Sequence, residues 1–207
     1  MEQEARKQPV QARSTATVAA ILEAAAQLLE RRGIEGFTTN EIARMADVSI
    51  GTLYQYYPDK RAIAAALSRM VRARLLATVR LAVEQSRPLP LQAGLEQLAR
   101  AALQADASRP GFARMLDALE QHLGLHEEEL LVKQALVQEF ALYLQAKLPF
   151  SPIAILALIA EDMVIMAGGL ADAELCRLGG LSEALFARLG KLAMTLLQSY
   201  LPSSPGW

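Results

Sequence analysis

The chain has 207 residues, enough for one or two domains with a sizeable core, and its abundant Ala and Leu favour helices. The most apolar run, residues 153–159, is far shorter than the ~20 residues of a membrane span, so we expect a soluble cytoplasmic protein. The net charge of −1 argues against nucleic-acid binding, but residues 1–87 hold 13 Lys or Arg against 9 Asp or Glu, whereas residues 88–207 hold 8 against 13. A basic first part and an acidic remainder suit a DNA-reading head with a separate regulatory body.

A polar arm, residues 1–13, opens the chain and is expected to be flexible. Arg13 lies closest to the first helix and could reach DNA, whereas the start of the arm equally suits a tail without contacts. Ser14 or Thr15 can cap the first helix, and Gly33 ends it.

Residues 38–60 contain two short helices joined by a tight corner. Thr38 followed by Glu41 predicts a capping box, in which each side chain binds a free amide at the helix start. Asp47 tolerates a left-handed corner, and Ser49 can cap the second helix. This arrangement predicts a helix-turn-helix unit, whose second helix enters the major groove of DNA.

The second helix of this unit lacks the Glu and Lys of an ordinary solvated helix. Leu53 and Tyr57 are four residues apart and are predicted to pack inward. The outward positions are Ile50, Gly51, Thr52, Tyr54 and Tyr56. Their hydroxyls, phenols and aliphatic group suit thymine methyls, base edges and phosphates, although packing against another protein domain is the alternative.

Residues 17–63 resemble the DNA-binding segment of the TetR family of bacterial transcriptional repressors. The resemblance rests on the run Thr-x-x-Glu-Ile-Ala from Thr38 and on the run Val-Ser-x-Gly-Thr-Leu-Tyr-x-Tyr-Tyr-x-x-Lys that ends at Lys60. Asp47 departs from the glycine that many members have at this corner. The resemblance implies DNA contacts by Thr38, Thr39, Ile50, Gly51, Thr52, Tyr54, Tyr56 and Lys60, in addition to the arm's Arg13.

The helical pattern continues from residue 60 to residue 86 as a connector helix, and Pro88 stops it. Further helices are expected at about 91–105, 110–123, 127–147, 152–175 and 182–201. The prediction is an all-α fold of about nine helices, with an N-terminal three-helix helix-turn-helix domain joined by the long helix to a C-terminal helical bundle. The predicted divisions are a DNA-binding domain at 1–60, a ligand-binding and dimerisation domain at 61–201 and a frayed tail at 202–207.

The last two helices are apolar on more than one side, which indicates cover by a second subunit. TetR-like proteins pair such helices with their twins, and a dimer would match a palindromic DNA site. A monomer with a large core is the alternative. The interface prediction names Ile159, Met163, Met166, Leu185, Leu189, Leu192 and Leu196.

The resemblance also implies a small-molecule site in the C-terminal body, and an apolar or aromatic effector is expected. The candidate lining is Phe112, Met115, Leu119, His122, Phe140 and Tyr143, any of which could be ordinary core. His122 and His126 are spaced for a metal, but no third ligand lies nearby, so neither a metal nor a cofactor is expected. The single cysteine, Cys176, gives no disulfide framework and suits a reducing compartment.

No nucleophile–base pair or phosphate-binding loop is present in the sequence, so an enzyme is not expected. The predicted function is a ligand-responsive regulator that binds double-stranded operator DNA as a homodimer and is released by a small molecule. The alternatives are a helical ligand-binding protein with a degenerate DNA-binding head, or a transcriptional activator.

Overall fold

The computed structural model describes residues 8–105 and 112–201, and within them it contains helices and no strand. The described part of the chain forms nine helices, as predicted, and divides into two compact units. The helices are α1 (Gln8–Gly36), α2 (Thr39–Met45), α3 (Ile50–Tyr56), α4 (Lys60–Ser86), α5 (Leu91–Leu103), α6 (Phe112–Leu123), α7 (His126–Lys147), α8 (Ile153–Leu178) and α9 (Glu183–Tyr200).

The first unit comprises the chain up to Val71 together with residues 111–128. Its core is built from the apolar faces of α1, α2, α3 and the start of α4. Phe37 is almost fully buried in this core. The fully buried aliphatic side chains of this core include Ile21, Leu28, Leu29, Ile42, Leu53, Ile63 and Leu67.

Helix α6 belongs to the same core, although the predicted division placed it in the ligand-binding domain. Phe112, Leu116 and Leu119 recur on one face of α6 and are buried among the side chains of α1 and its neighbours. The apolar spacing revealed that α6 has a buried face, but spacing alone does not identify the helix against which that face packs. Packing therefore groups residues 111–128 with the first 71 residues, across the predicted boundary at residue 60.

The second unit comprises residues 72–110 and 129–201, with residues beyond 201 outside the described range. Helices α5 and α9 pack closely, because Gly190 has no Cβ and leaves space for the Glu96 side chain. Arg100 binds Glu183 through two hydrogen bonds of 2.6 and 2.5 Å, and its guanidinium lies 4.2 Å from the centre of the Phe186 ring. Both contacts join α5 to α9.

The helix ends follow the sequence signals with one exception. Gly124 and Gly179 have φ of 68° and 71°, and both lie at predicted breaks. Gly33 also adopts a left-handed φ, of 64°, at the predicted end of the first helix, although helical hydrogen bonding resumes up to Gly36. The exception is α1, which already includes Gln8, the first described residue, and so extends before the predicted Ser14 or Thr15 cap.

Several predictions fall on parts of the chain that the structure does not describe. They are the arm at residues 1–7, the break at residues 108–111 and the tail at residues 202–207. Residues 8–13 of the predicted arm lie in α1, and Arg13 is exposed on that helix.

Candidate DNA-reading surface and ligand cavity

The corner between α2 and α3 is built by short-range hydrogen bonds. Thr38 Oγ1 accepts the Glu41 N–H at 3.3 Å, and Ser49 Oγ accepts the Thr52 N–H at 3.0 Å, so each helix starts at the predicted cap. Asp47 has a φ of 54°, the left-handed corner that its residue type predicted. The Val48 N–H donates to Ala43 O across the corner at 3.0 Å. These bonds fix the angle at which α3 leaves α2.

Only one of the two hydrogen bonds of the predicted capping box forms. Thr38 contributes its side chain, but the Glu41 carboxylate accepts hydrogen bonds from Arg32 at 2.8 Å and Arg44 at 2.9 Å. The hydrogen bond from Arg44 lowers the pKa of Glu41, and Arg32 adds to the effect. Two guanidinium groups bind the carboxylate more strongly than one backbone N–H, which explains why the reciprocal bond is absent.

The predicted DNA-contacting residues are not equally exposed. Arg13, Thr38, Ile50, Gly51, Tyr54 and Lys60 are exposed, whereas Thr39, Thr52 and Tyr56 are half-buried. Tyr56 was predicted to face outward, but it is half-buried and packs against the core of the first unit, as Tyr57 does. Burial raises the pKa of Tyr57, consistent with its predicted inward side. Tyr56 is therefore a weaker candidate than Tyr54.

Gln55 and Arg44 are two exposed residues that the predicted set omits. Gln55 follows Tyr54 on the exposed side of α3, and its amide could bind a base edge or a phosphate. The signal was available in the sequence, because positions 51, 54 and 55 of one helix share a face. Arg44 is exposed on α2 but is held by Glu41.

Tyr54 lies on this surface with 50% of its area exposed. Its hydroxyl lies 3.3 Å from Thr39 Oγ1, so α2 and α3 are bridged by a hydrogen bond on their exposed side. A phenol held in this way is presented to solvent from a fixed direction, and its O–H is free to donate when Thr39 is the donor of the shared bond. It can bind a phosphate oxygen without first losing much rotamer freedom.

The six predicted ligand-site residues are divided between the two units. Phe112 and Leu119 are buried in the core of the first unit, Met115 packs against that core, and His122 is exposed. Phe140 and Tyr143 lie in the core of the second unit. The predicted set therefore joined two separate cores, because apolar residues at helical spacing do not show which core they enter.

A small cavity lies in the second unit, and of the six predicted ligand-site residues Phe140 lines it. Its other walls are Leu95, Ala99, Met163, Met166, Ala167, Leu189 and Ala193. Its volume is about 20 Å³, space for roughly one water molecule. A larger guest would require side chains to move, and Met163 and Met166 are the unbranched, adaptable residues that permit this.

Most of the predicted dimer residues are buried within the chain itself. Ile159, Met163, Leu185 and Leu189 are buried in the second unit's own core, and Met166, Leu192 and Leu196 are half-buried. The large apolar side chains that α8 exposes are instead Ile153, Leu158, Ile165 and Leu178. The sequence showed that α8 is apolar on more than one side, but not which side faces its own core.

Helix α8 is also long and apolar enough to cross a membrane, with a mean hydropathy of 2.0 over an 18-residue window. The sequence analysis counted only the seven consecutive apolar residues 153–159 and so did not identify this helix as a candidate span. Glu161 and Asp162 interrupt that run, but the mean hydropathy of the whole window stays high enough for a membrane span. Only 22% of the window is buried within the chain. A helix that packs against a partner protein passes the same test of length and composition.

His122 is exposed, and nothing is described of the His126 side chain. The described residues contain no group of three or more His, Cys, Asp or Glu side chains placed to hold a metal ion. Cys176 is exposed on α8.

Residues 21–67 match the family described as bacterial regulatory proteins, tetR family. A comparison with curated protein sequences finds no match. A TetR-family transcriptional regulator from Streptomyces coelicolor has a similar structure, with a TM-score of 0.68 and 22% identity over 93% of this chain and 99% of that chain. The fatty acid degradation regulator FadR from Bacillus halodurans matches with a TM-score of 0.63 and 16% identity over 92% and 97% of the two chains. AlkX, a TetR family repressor from Dietzia sp. implicated in biodegradation of n-alkanes, matches with a TM-score of 0.55 and 16% identity over 89% and 95%.

Proposed function

Because the chain has the DNA-binding domain and the fold of the TetR family of bacterial transcriptional regulators, we propose that it represses transcription as a dimer on a palindromic operator. A small apolar molecule bound in the second unit releases it. The exposed side of α3 supports this function, because it presents Ile50, Gly51, Tyr54 and Gln55 and no charged group.

Contacts to the DNA divide by chemistry. Lys60 and Arg13 supply positive charge, and Thr38 and Tyr54 supply hydroxyls, so these residues suit phosphate oxygens and set the register of the protein. The side chains of α3 suit the major groove, where base edges differ. Repression by such contacts requires only that the operator overlaps a promoter.

The dimer is supported by the exposed apolar side of α8. Leu158 and Ile165 are seven residues apart, and each has about half of its side chain exposed. Gly169 extends the same side, and its missing Cβ would meet no neighbouring atom within 4 Å. A two-fold pair of such helices buries this side and places two α3 helices for the two halves of a palindrome.

Replacing Ile165 with Asp tests the dimer directly. A carboxylate on this side would lose its hydration in a dimer, whereas in a monomer it would stay in solvent. We expect the mass in analytical ultracentrifugation to fall from that of a dimer to that of a monomer, with the helical circular dichroism unchanged. Lys133→Asp is the control, since it introduces the same residue on an exposed position of α7. A monomeric wild-type protein would refute the dimer.

The effector is proposed to be apolar because each wall of the cavity is an apolar side chain. The names of FadR and AlkX connect those two proteins with fatty acids and n-alkanes, which supports a long aliphatic chain as the chemical class. Release requires that the ligand binds the DNA-incompatible conformation more tightly, since equal affinity for both conformations shifts nothing.

The DNA proposal is tested by fluorescence anisotropy with DNA selected from a random library, at several salt concentrations. We expect sequence-selective binding that weakens as salt rises. Tyr54→Ala should lower the affinity by about tenfold or more and leave the dimer intact. Leu81→Ala is the control, because it removes a comparably exposed side chain from the second unit. Equal binding to random and selected DNA would overturn the proposal.

A further inference from the structure

The start of α3 has few hydrogen-bonding groups available for reading bases. Ser49 Oγ accepts the Thr52 N–H and lies 2.8 Å from Thr52 Oγ1, so the two hydroxyls are directed at each other within the cap. Thr52 is half-buried in this position. The polar side chains of this turn are therefore committed to starting the helix.

The phenol of Tyr54 is held one turn further on. Its hydroxyl lies near Thr39 Oγ1 on α2, at 3.3 Å, which directs the Tyr54 side chain toward the side of α3 where α2 lies. This direction suits a contact with the DNA backbone, which carries no direct information on sequence.

Ile50 is the exposed apolar side chain of this turn. It has 39% of its area exposed, although it is an apolar residue on a seven-residue helix. Its neighbour Gly51 has no side chain, so nothing at position 51 covers it. Ile50 therefore presents its exposed area beside a position without a side chain.

The branched side chain of Ile50 is also stiff. Two heavy atoms on its Cβ leave one strongly preferred rotamer in a helix, so little conformational entropy is lost when it is placed against a partner. An aliphatic group with one fixed direction recognises shape and apolar surface. Among the four bases, only thymine presents a methyl group in the major groove.

We propose that Ile50 contacts a thymine methyl group in each half of the operator and that this apolar contact determines the base preference at that position. The inference rests on the proposed function, since it requires that α3 enters the major groove. It adds which residue reads a base, and which base that residue selects.

The test combines one protein substitution with one change in the DNA. Operator DNA is first selected from a random library with the wild-type protein, and each thymine of its half-sites is then replaced in turn, symmetrically, by deoxyuridine. This replacement removes only the methyl group and preserves base pairing. We expect one symmetric pair of positions at which the wild-type affinity falls by about fourfold for each methyl group, roughly fifteenfold for the pair.

The variant Ile50→Ala should bind the thymine and uracil forms of that site equally well, because the group that met the methyl is gone. Gln55→Ala is the matched control on the same side of α3. It can weaken binding to both DNA forms, but it should preserve the wild-type ratio between them. This ratio measures the coupling between residue and methyl independently of overall affinity.

Two results would overturn the inference while leaving the proposed function in place. One is sequence-selective binding by the wild-type protein with no thymine whose methyl group matters. The other is an unchanged ratio of thymine to uracil affinity in Ile50→Ala. A wild-type protein that does not select any DNA sequence would overturn the proposed function itself, and the inference would fall with it.

Discussion

The two compact units are held in different ways. The first depends at its functional surface on contacts between residues close in the chain: Thr38 with Glu41, Ser49 with Thr52, and the left-handed corner at Asp47. The second depends on contacts between distant residues. Arg100 meets Glu183 across 83 positions, and Lys147 Nζ donates to the carbonyls of Arg87 and Leu89. Local contacts can be recognised as sequence motifs, and distant contacts cannot.

The largest expected effect breaks a distant contact in the second unit. A Cβ on Gly94 would overlap the Tyr143 hydroxyl and lie 2.9 Å from Tyr143 Cζ, and Tyr143 is almost fully buried. Gly94→Ala is expected to lower the free energy of unfolding by about 1 to 3 kcal/mol, measured by urea denaturation.

The variant Tyr143→Phe provides the control. The Tyr143 hydroxyl is buried and has no hydrogen-bond partner among the described residues, so its removal alone should be nearly neutral. Combined with Gly94→Ala, it should restore part of the lost stability, because the closest overlap disappears. A double variant as unstable as Gly94→Ala would show that the overlap with the hydroxyl is not the cause.

A smaller effect is expected at the corner of the first unit. Asp47 adopts a φ of 54°, a conformation that costs residues with a Cβ roughly 1 to 2 kcal/mol and that Asp and Asn tolerate better than others. The predicted order of stability is Asp47→Gly highest, then wild type and Asp47→Asn, then Asp47→Ala about 1 kcal/mol lower, measured by thermal and urea unfolding. Equal stability of the Gly and Ala variants would contradict this account.

The same comparison shows what the sequence could predict. Within residues 38–60 the caps, the corner and the buried Leu53 followed from residue type and spacing, since each depends on atoms three to five positions away. The hydrogen bonds that Arg32 and Arg44 donate to Glu41 could not be predicted in this way. The predicted capping box assigned the Glu41 side chain to a backbone amide at the helix start instead. Tyr56 was placed outward because helical spacing was extended to a residue at the end of its helix.

In the second unit the helices could be predicted but the cavity could not. Periodicity indicated that Leu185 and Leu189 are on an apolar face, yet a partner subunit and the chain's own core require the same pattern. The choice depends on how α5 and α9 pack, and the deciding residue, Gly190, carries no sequence signal beyond its lack of a side chain. Phe140 was named for the cavity without the α5, α8 and α9 residues that form the rest of its wall.

The smallest expected effect concerns pH and a carboxylate in the second unit. Glu174 Oε1 accepts the Ser182 N–H at 2.7 Å. Hydrogen bonding by the Ser182 side chain and then by its backbone, with the charges of Arg188 and Arg177, holds the pKa of Glu174 below its ordinary value of 4.5. The contribution of Glu174 to stability is therefore present above pH 4.5 and is lost as the pH falls through the lowered pKa.

Glu174→Gln should lower the melting temperature at pH 7, and its difference from the wild type should shrink below pH 4.5. Thermal unfolding from pH 7 to pH 3 measures this. Glu161→Gln removes an exposed carboxylate from the same helix and should follow the wild-type profile. A constant difference between Glu174→Gln and the wild type at every pH would assign the effect to packing instead of charge.

The place of α6 in the first unit has a consequence for how the protein is made. The core around Ile21 and Leu28 is completed by Phe112, Leu116 and Leu119, which the ribosome adds after Val71. At 5–20 residues per second, the intervening stretch of about 50 residues takes roughly 3 to 10 s to synthesise. During that interval the nascent reading head exposes the apolar patch that α6 later covers. A chaperone that binds apolar segments therefore has a defined period in which to act, and a gene truncated after the connector helix would encode a head that never closes this patch.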